Sequence, residues 1–151
     1  KTRIYDQAKQ TLNDQLNVAS KCYLYKDIVN NVCLQNYLTK HMNFRVYLTR
    51  RRLSSHNLFV EVGRYHGLNR LDRKCTLCNL NITEDEFHFV LQCESYRDLR
   101  RQFIKPYYYR RPSSFKLVQL LSTENVKDLR NLCKFLFNAH NHRTKLLLVN
   151  T

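Results

Sequence analysis

Arg73-Lys74-Cys75-Thr76-Leu77-Cys78, followed by Thr83-Glu84-Asp85-Glu86-Phe87-His88-Phe89-Val90-Leu91-Gln92-Cys93, decides how the rest of the chain is read. Its Cys and His residues fall in a C-x2-C-x9-H-x4-C pattern. Two thiolates two residues apart bite one ion from a compact turn. A His and a third Cys then complete a tetrahedral Cys3His shell closed to water, the ligand set of a structural zinc site. Three thiolates make oxygen-preferring Mg2+ or Ca2+ poor occupants. Cys75, Cys78, His88 and Cys93 are therefore the expected Zn2+ ligands. Arg73 and Lys74, beside Cys75, are expected to offset the site's net negative charge.

His88 and Cys93 are five residues apart, which is about 140° around an α-helix, so a straight helix cannot carry both on one face. Thr83 with Glu86 reads as a capping box. The short helix it opens is expected to end or bend before Cys93. The same reading makes Glu84, Asp85 and Glu86 helix-start residues rather than an acid/base site. The remaining cysteines, Cys22, Cys33 and Cys133, lie on apolar helical positions and read as small core residues. Cys133 and His140 are seven apart on one helix face, about 10 Å, which favours packing over a nucleophile pair.

Outward from this centre the pattern is helical. Ile4, Ala8, Leu12 and Leu16 recur at steps of four, predicting a helix over 3–18. Ser20 is placed to cap a second helix carrying Tyr23, Leu24 and Ile28, interrupted at Asn30-Asn31. Val32, Leu34, Tyr37 and Leu38 predict a third, and Phe44, Tyr47 and Leu48 a fourth with arginines on its far side. Leu58, Val60 and Val62 alternate with Phe59 and Glu61, a weak strand signal. Tyr96, Leu99 and Phe103 predict a helix stopped near Pro106, followed by a basic, aromatic connector. Ser113 or Ser114 is placed to cap the next helix, and Thr123 the last. That last helix repeats Val126, Leu129, Leu132, Cys133, Leu136, Phe137 and His140 at helical spacing. The expected fold is mainly α: packed helices around an irregular Cys3His knuckle, with room for one short β-ribbon. Three segments result, an N-terminal basic helical one (1–57), the knuckle (58–104) and a C-terminal helical one (105–151), expected to form one domain.

The 151 residues include only two Gly and two Pro, which argues against turn-rich all-β folds and leaves no phosphate loop. The chain opens on Lys1-Thr2-Arg3 rather than Met, as expected for an excerpt of a longer protein. No apolar run approaches a membrane span, and no signal peptide is visible, so an intracellular protein of the nucleus or cytoplasm is expected. For the same reason a metal is preferred to disulfides for the six cysteines. The net charge is +14, and it is unevenly spread. Residues 40–75 carry nine basic side chains against Glu61 and Asp72, and 97–116 carry seven against Asp98. The acids of 84–96 lie between these two blocks. Basic blocks of this kind favour a polyanionic partner, because each one displaces counterions condensed on phosphates. The candidate phosphate contacts are Arg50, Arg51, Arg52, Arg64, Arg73, Lys74, Arg100, Arg101, Lys105, Arg110 and Arg111. Tyr107 and Tyr108 are candidates for stacking on unpaired bases.

Several pieces, in order, resemble the C-terminal region of LINE-type (non-LTR) retrotransposon reverse transcriptases. They are FRVYLTRRR (44–52), His56-Asn57-Leu58, EVGRY (61–65), RKCTLC (73–78), EDEFHFVLQC (84–93) and YRDLRRQFI (96–104), with similar flanks SKCYLYKDI and KPYYYRRPSSFKLVQLL. The resemblance implies a region beyond the polymerase thumb whose zinc knuckle, on Cys75, Cys78, His88 and Cys93, helps bind template RNA or target DNA. It makes the polymerase domain of the same polyprotein a further expected partner. The chain lacks a Tyr/Phe-x-Asp-Asp polymerase signature and a nuclease pattern. No catalysis is expected of the chain itself. The competing expectation is a structural module in which zinc staples helices that brace the polymerase or a protein partner.

Overall fold

A computed structural model describes residues 2–19, 21, 22, 24–29, 32–40 and 42–149. Ser20, Tyr23, Asn30 and Asn31, invoked above for the second helix, lie outside the described residues. The longest element, α9 (Val126–Val149), turns Leu129, Leu132, Cys133, Phe135, Leu136, Ala139 and Arg143 inward. Apolar residues recurring every three or four positions make one continuous face, and burying that face stabilises the helix far more than its intrinsic propensity does. The other helices are α1 (Thr2–Val18), α2 (Tyr25–Ile28), α3 (Asn36–Thr39), α4 (Arg45–Arg52), α5 (Phe59–Val62), α6 (Arg97–Phe103), α7 (Pro106–Tyr109) and α8 (Ser114–Leu121). α9 packs against α4 and α6, α2 packs against α8, and α7 packs against α8 and the knuckle. Core side chains come from all three sequence segments, among them Leu48, Leu58, Phe89, Leu120 and Phe135. No described helix is long and apolar enough to cross a membrane.

The mainly helical expectation holds, with local differences that have physical causes. Residues 59–62 form the single turn α5 rather than part of a strand, because Glu84 supplies acceptors to its first free N–H groups. Phe59 N–H donates to Glu84 Oε2 at 2.7 Å and Val60 N–H to the Glu84 carbonyl at 3.1 Å. Among the described residues the β-ribbon is reduced to one antiparallel bridge, Lys74 to Thr83. Its bonds are Cys75 N–H to Ile82 O at 2.8 Å and Glu84 N–H to Arg73 O at 2.9 Å. Asp85, two residues beyond Thr83, caps the knuckle helix by accepting from His88 N–H at 2.9 Å. Glu86, the expected box partner, instead faces Ser54 and His56.

Ser113 caps α8 as expected. Asn125 rather than Thr123 caps α9, taking the N–H groups of Lys127 and Asp128 at 3.0 and 3.1 Å. Pro106 begins α7, where a missing N–H costs nothing. α1 buries none of its side chains. Cys133 is buried, whereas Cys22 is half-buried and Cys33 exposed, so only Cys133 is the core residue expected of all three. Phe44 precedes α4 with φ 67°, a conformation costly for an aromatic residue, and its ring stacks on Phe137 at 3.9 Å.

Candidate metal centre and its basic surroundings

The Lys74–Thr83 bridge closes a loop that presents Cys75 and Cys78 to His88 on the knuckle helix and to Cys93 just past its end. The four ligand atoms lie within 4.8 Å of one another. Cys75 Sγ is 4.0 Å from Cys93 Sγ, and Cys78 Sγ is 3.3 Å from His88 Nε2. A disulfide would need a sulfur separation near 2.05 Å, so the cysteines are free thiols. Four ligands about 2.0–2.3 Å from one tetrahedral ion would stand some 3.5–3.8 Å apart, and the Cys75–Cys93 and Cys78–His88 separations match this to within a few tenths of an ångström. Cys75, Cys93 and His88 are buried and Cys78 is half-buried, so the centre is closed. The group is a candidate metal site by its donor chemistry and by its geometry.

The helix ends at Gln92, between the two ligands as expected, and its closing turn is a π turn over His88–Gln92. Cys93 N–H reaches back to His88 O at 2.7 Å. An i→i+5 bond widens the turn until residue i+5 comes back over residue i, and such turns are frequent at functional sites. The widened turn displaces carbonyls from the regular ladder, and Arg100 takes two of them. Its Nε donates to Val90 O at 2.8 Å and its Nη2 to Cys93 O at 2.7 Å.

Without a cation the sulfurs oppose one another. The Cys75 thiol is pushed up to about 12, first by its contact with Cys93 and then by burial. Burial also raises Cys78, while the Cys75 contact lowers Cys93. A cation bound by three thiolates removes this conflict and displaces the protons.

Behind the centre lies a buried ion pair that the sequence reading did not anticipate. Arg143 of α9 forks onto Glu84, with Nε to Oε1 at 2.7 Å and Nη2 to Oε2 at 2.8 Å. Burial alone would lower the Arg143 guanidinium, but the hydrogen bonds and charge of Glu84 outweigh it and raise it. Glu84 thus ties the knuckle to α5 and α9. Burial likewise works to raise Glu86, yet the bonds from His56 (2.8 Å) and Ser54 (3.1 Å) hold it below the usual carboxylate range.

The basic candidates divide by burial. Arg51, Arg52 and Arg100 lie inside the protein, so none of them belongs to the outer basic surface. Arg52 donates to Leu121 O and lies over the Tyr37 ring at 4.1 Å. Arg73 also works inward. Its stem crosses Gly63 so closely that a Cβ there would come within 2.7 Å, and its guanidinium holds the Val60 and Leu68 carbonyls. Arg100, rather than Arg73, is the arginine bonded to the Cys93 carbonyl. Arg64 pairs with Glu61 at 3.2 Å, Arg101 with Asp98 at 3.9 Å and Lys105 with Asp128 at 2.6 Å. Lys74 is half-buried, while Arg50, Arg110 and Arg111 are exposed. Tyr108 is buried. Tyr107 is exposed but already meets Lys116 Nζ at 4.6 Å from its ring centre.

His140 of α9 packs on Tyr47 at 5.2 Å between ring centres. Burial holds its imidazole below the ordinary range, assisted by repulsion from Arg51, Arg143 and Arg50. Its folded value lies below its unfolded one, so the unfolded chain takes up the proton first. Stability is lost as pH falls from about 6.5. Urea midpoints measured from neutral to mildly acid pH are expected to fall less steeply in His140→Gln than in the parent. Parallel pH profiles would overturn this assignment.

No protein-family model matches the chain, and no curated protein and no solved structure matches it.

Proposed function

We propose that this chain is a zinc-stabilised nucleic-acid-binding module without intrinsic catalysis. In this reading it serves beyond the thumb of a LINE-type reverse transcriptase and holds template RNA or target DNA by its phosphates. Zinc is the ion chosen because three thiolates and one imidazole in a closed site suit it better than any oxygen-preferring cation. Cys75, Cys78, His88 and Cys93 would hold it, and its contribution is structural.

The observation that carries the reading is where the acids go in a chain of net charge +14. Glu84 is taken by Arg143, Asp85 by Arg70, Glu94 by Arg97, and Glu86 by His56. None of these four acids forms an ion pair with a candidate phosphate contact, although Glu61, Asp98 and Asp128 pair with Arg64, Arg101 and Lys105. Arg50, Arg110 and Arg111 are exposed and form no ion pair among the described residues. Exposed, unpaired guanidiniums are the groups best able to displace counterions from phosphates. The burial of Arg51, Arg52 and Arg100 favours a second reading, a zinc-stapled helical brace for a polymerase or another protein.

The test is binding of the zinc-loaded chain to single-stranded RNA and to duplex DNA across a salt series. Affinity is expected to fall steeply with salt. Replacing Arg50, Arg110 or Arg111 by Gln should weaken binding evenly across sequences and reduce the salt slope by about 1 each. No binding at low salt would overturn the proposal in favour of the brace.

A further inference from the structure

The C-terminal end of α4, the 54–57 loop, α5 and α9 enclose an open cleft of about 370 Å³. That volume is within the range of small-ligand sites. Arg50, Arg51, Lys21, Tyr47, Tyr65 and His140 line it, with polar loop side chains between them. Arg51 is only 2% exposed, yet its Nε and Nη1 have no hydrogen-bond partner. This is unusual, because a buried guanidinium carries five N–H donors and normally forks onto oxygen. Arg52, Arg100 and Arg143 each do so in this protein. Arg51 instead lies over the face of Phe89, at 4.4 Å, and feels Glu86 and Glu84 only through their charge.

The nearby acids are engaged elsewhere. Glu61 in the cleft wall pairs with Arg64, and Glu86 accepts from Ser54 and His56. The cleft therefore joins a buried cation with unused donors, an exposed unpaired Arg50, and Tyr65, which is 80% exposed at the rim. Fixed guanidinium donors are matched by a phosphate, and a free tyrosine face is matched by a base.

We propose that this cleft is a nucleotide-binding site, with Arg51 and Arg50 receiving the phosphate and Tyr65 stacking on the base. The proposal rests on the nucleic-acid reading and extends it. It names an unpaired nucleotide of a single strand as the ligand, because a base inside a duplex has no free face for Tyr65.

The zinc-loaded full chain is titrated calorimetrically with adenosine monophosphate, adenosine and inorganic phosphate. Adenosine monophosphate is expected to bind at least about tenfold more tightly than adenosine. Arg51→Lys, which keeps the charge but loses the fork, should weaken the monophosphate about tenfold. Arg50→Gln should weaken it less. Tyr65→Ala should weaken the monophosphate and leave inorganic phosphate unchanged. Lys134→Ala, exposed and outside the cleft, should change neither.

Equal affinity for adenosine and its monophosphate would overturn the site, as would insensitivity to both arginine variants. Should Arg51→Lys fail to fold, Arg50→Gln and Tyr65→Ala decide alone. Salt-dependent RNA binding with no monophosphate binding at millimolar concentration overturns the cleft and leaves the module intact. Monophosphate binding without RNA binding supports the cleft and overturns the module.

Discussion

Cys78→Ser should lower the melting temperature of the metal-loaded protein by roughly 10 °C or more, while Cys22→Ser should shift it by only a few degrees. Both are cysteine-to-serine changes at half-buried positions. They differ in what the sulfur touches. Cys78 Sγ faces His88 Nε2 at 3.3 Å inside the ligand cluster, whereas Cys22 Sγ meets one carbonyl, that of Leu53, at 3.5 Å. Metal-binding energy in a site of this kind is folding energy, so a lost ligand is felt through the whole knuckle. A chelator should first open residues from about 60 to 95, read as loss of amide-exchange protection there before α9. Equal melting temperatures for the two variants would sink the ligand assignment.

Arg143→Ala should cost about 3–5 kcal/mol with the metal still bound, because it strands the Glu84 carboxylate in the interior. The loss should be larger than for any exposed arginine, since exposed ion pairs contribute about 1 kcal/mol or less. Glu84→Gln combined with Arg143→Met removes both charges and should recover part of the loss. Urea midpoints of the two single variants and the double variant measure this directly. A single-variant loss below about 1 kcal/mol would show that Glu84 finds water or another partner, and the pair would no longer explain how the knuckle is held to α9.

What the sequence made legible is what it encodes locally. The four metal ligands lie within one short stretch at a spacing that has a chemical meaning, so they could be read together. The apolar repeat of α9 could be read because periodicity is itself a local signal. Glu84 and Arg143 are 59 residues apart, and nothing in either neighbourhood announces the other. Thr83-Glu84-Asp85-Glu86 also satisfies the pattern of a helix start, which hides the inward role of Glu84. The fold resolves the ambiguity by giving the cap to Asp85, which frees Glu84 for the interior. The arginine block 50–52 reads as surface because arginines usually are. Here α4 presses against α9, and consecutive residues on a helix point about 100° apart, so one of three neighbours faces out while two face in. Counting charge by segment cannot distinguish them. The unpartnered donors of Arg51 could not be seen before Phe89, Ser54 and Glu86 were brought around it.

The π turn over His88–Gln92 also has a consequence for how the motif is spelled. A π turn holds one residue more than an α turn, so H-x4-C wound this way and H-x3-C wound as a regular helix present the same two ligands to the same ion. The extra letter behaves as an insertion absorbed inside the helix, with Arg100 securing the carbonyls it dislodges. Kinship to this knuckle is therefore better sought with a variable gap between His and Cys, together with an arginine following the last cysteine, than with a fixed spacing.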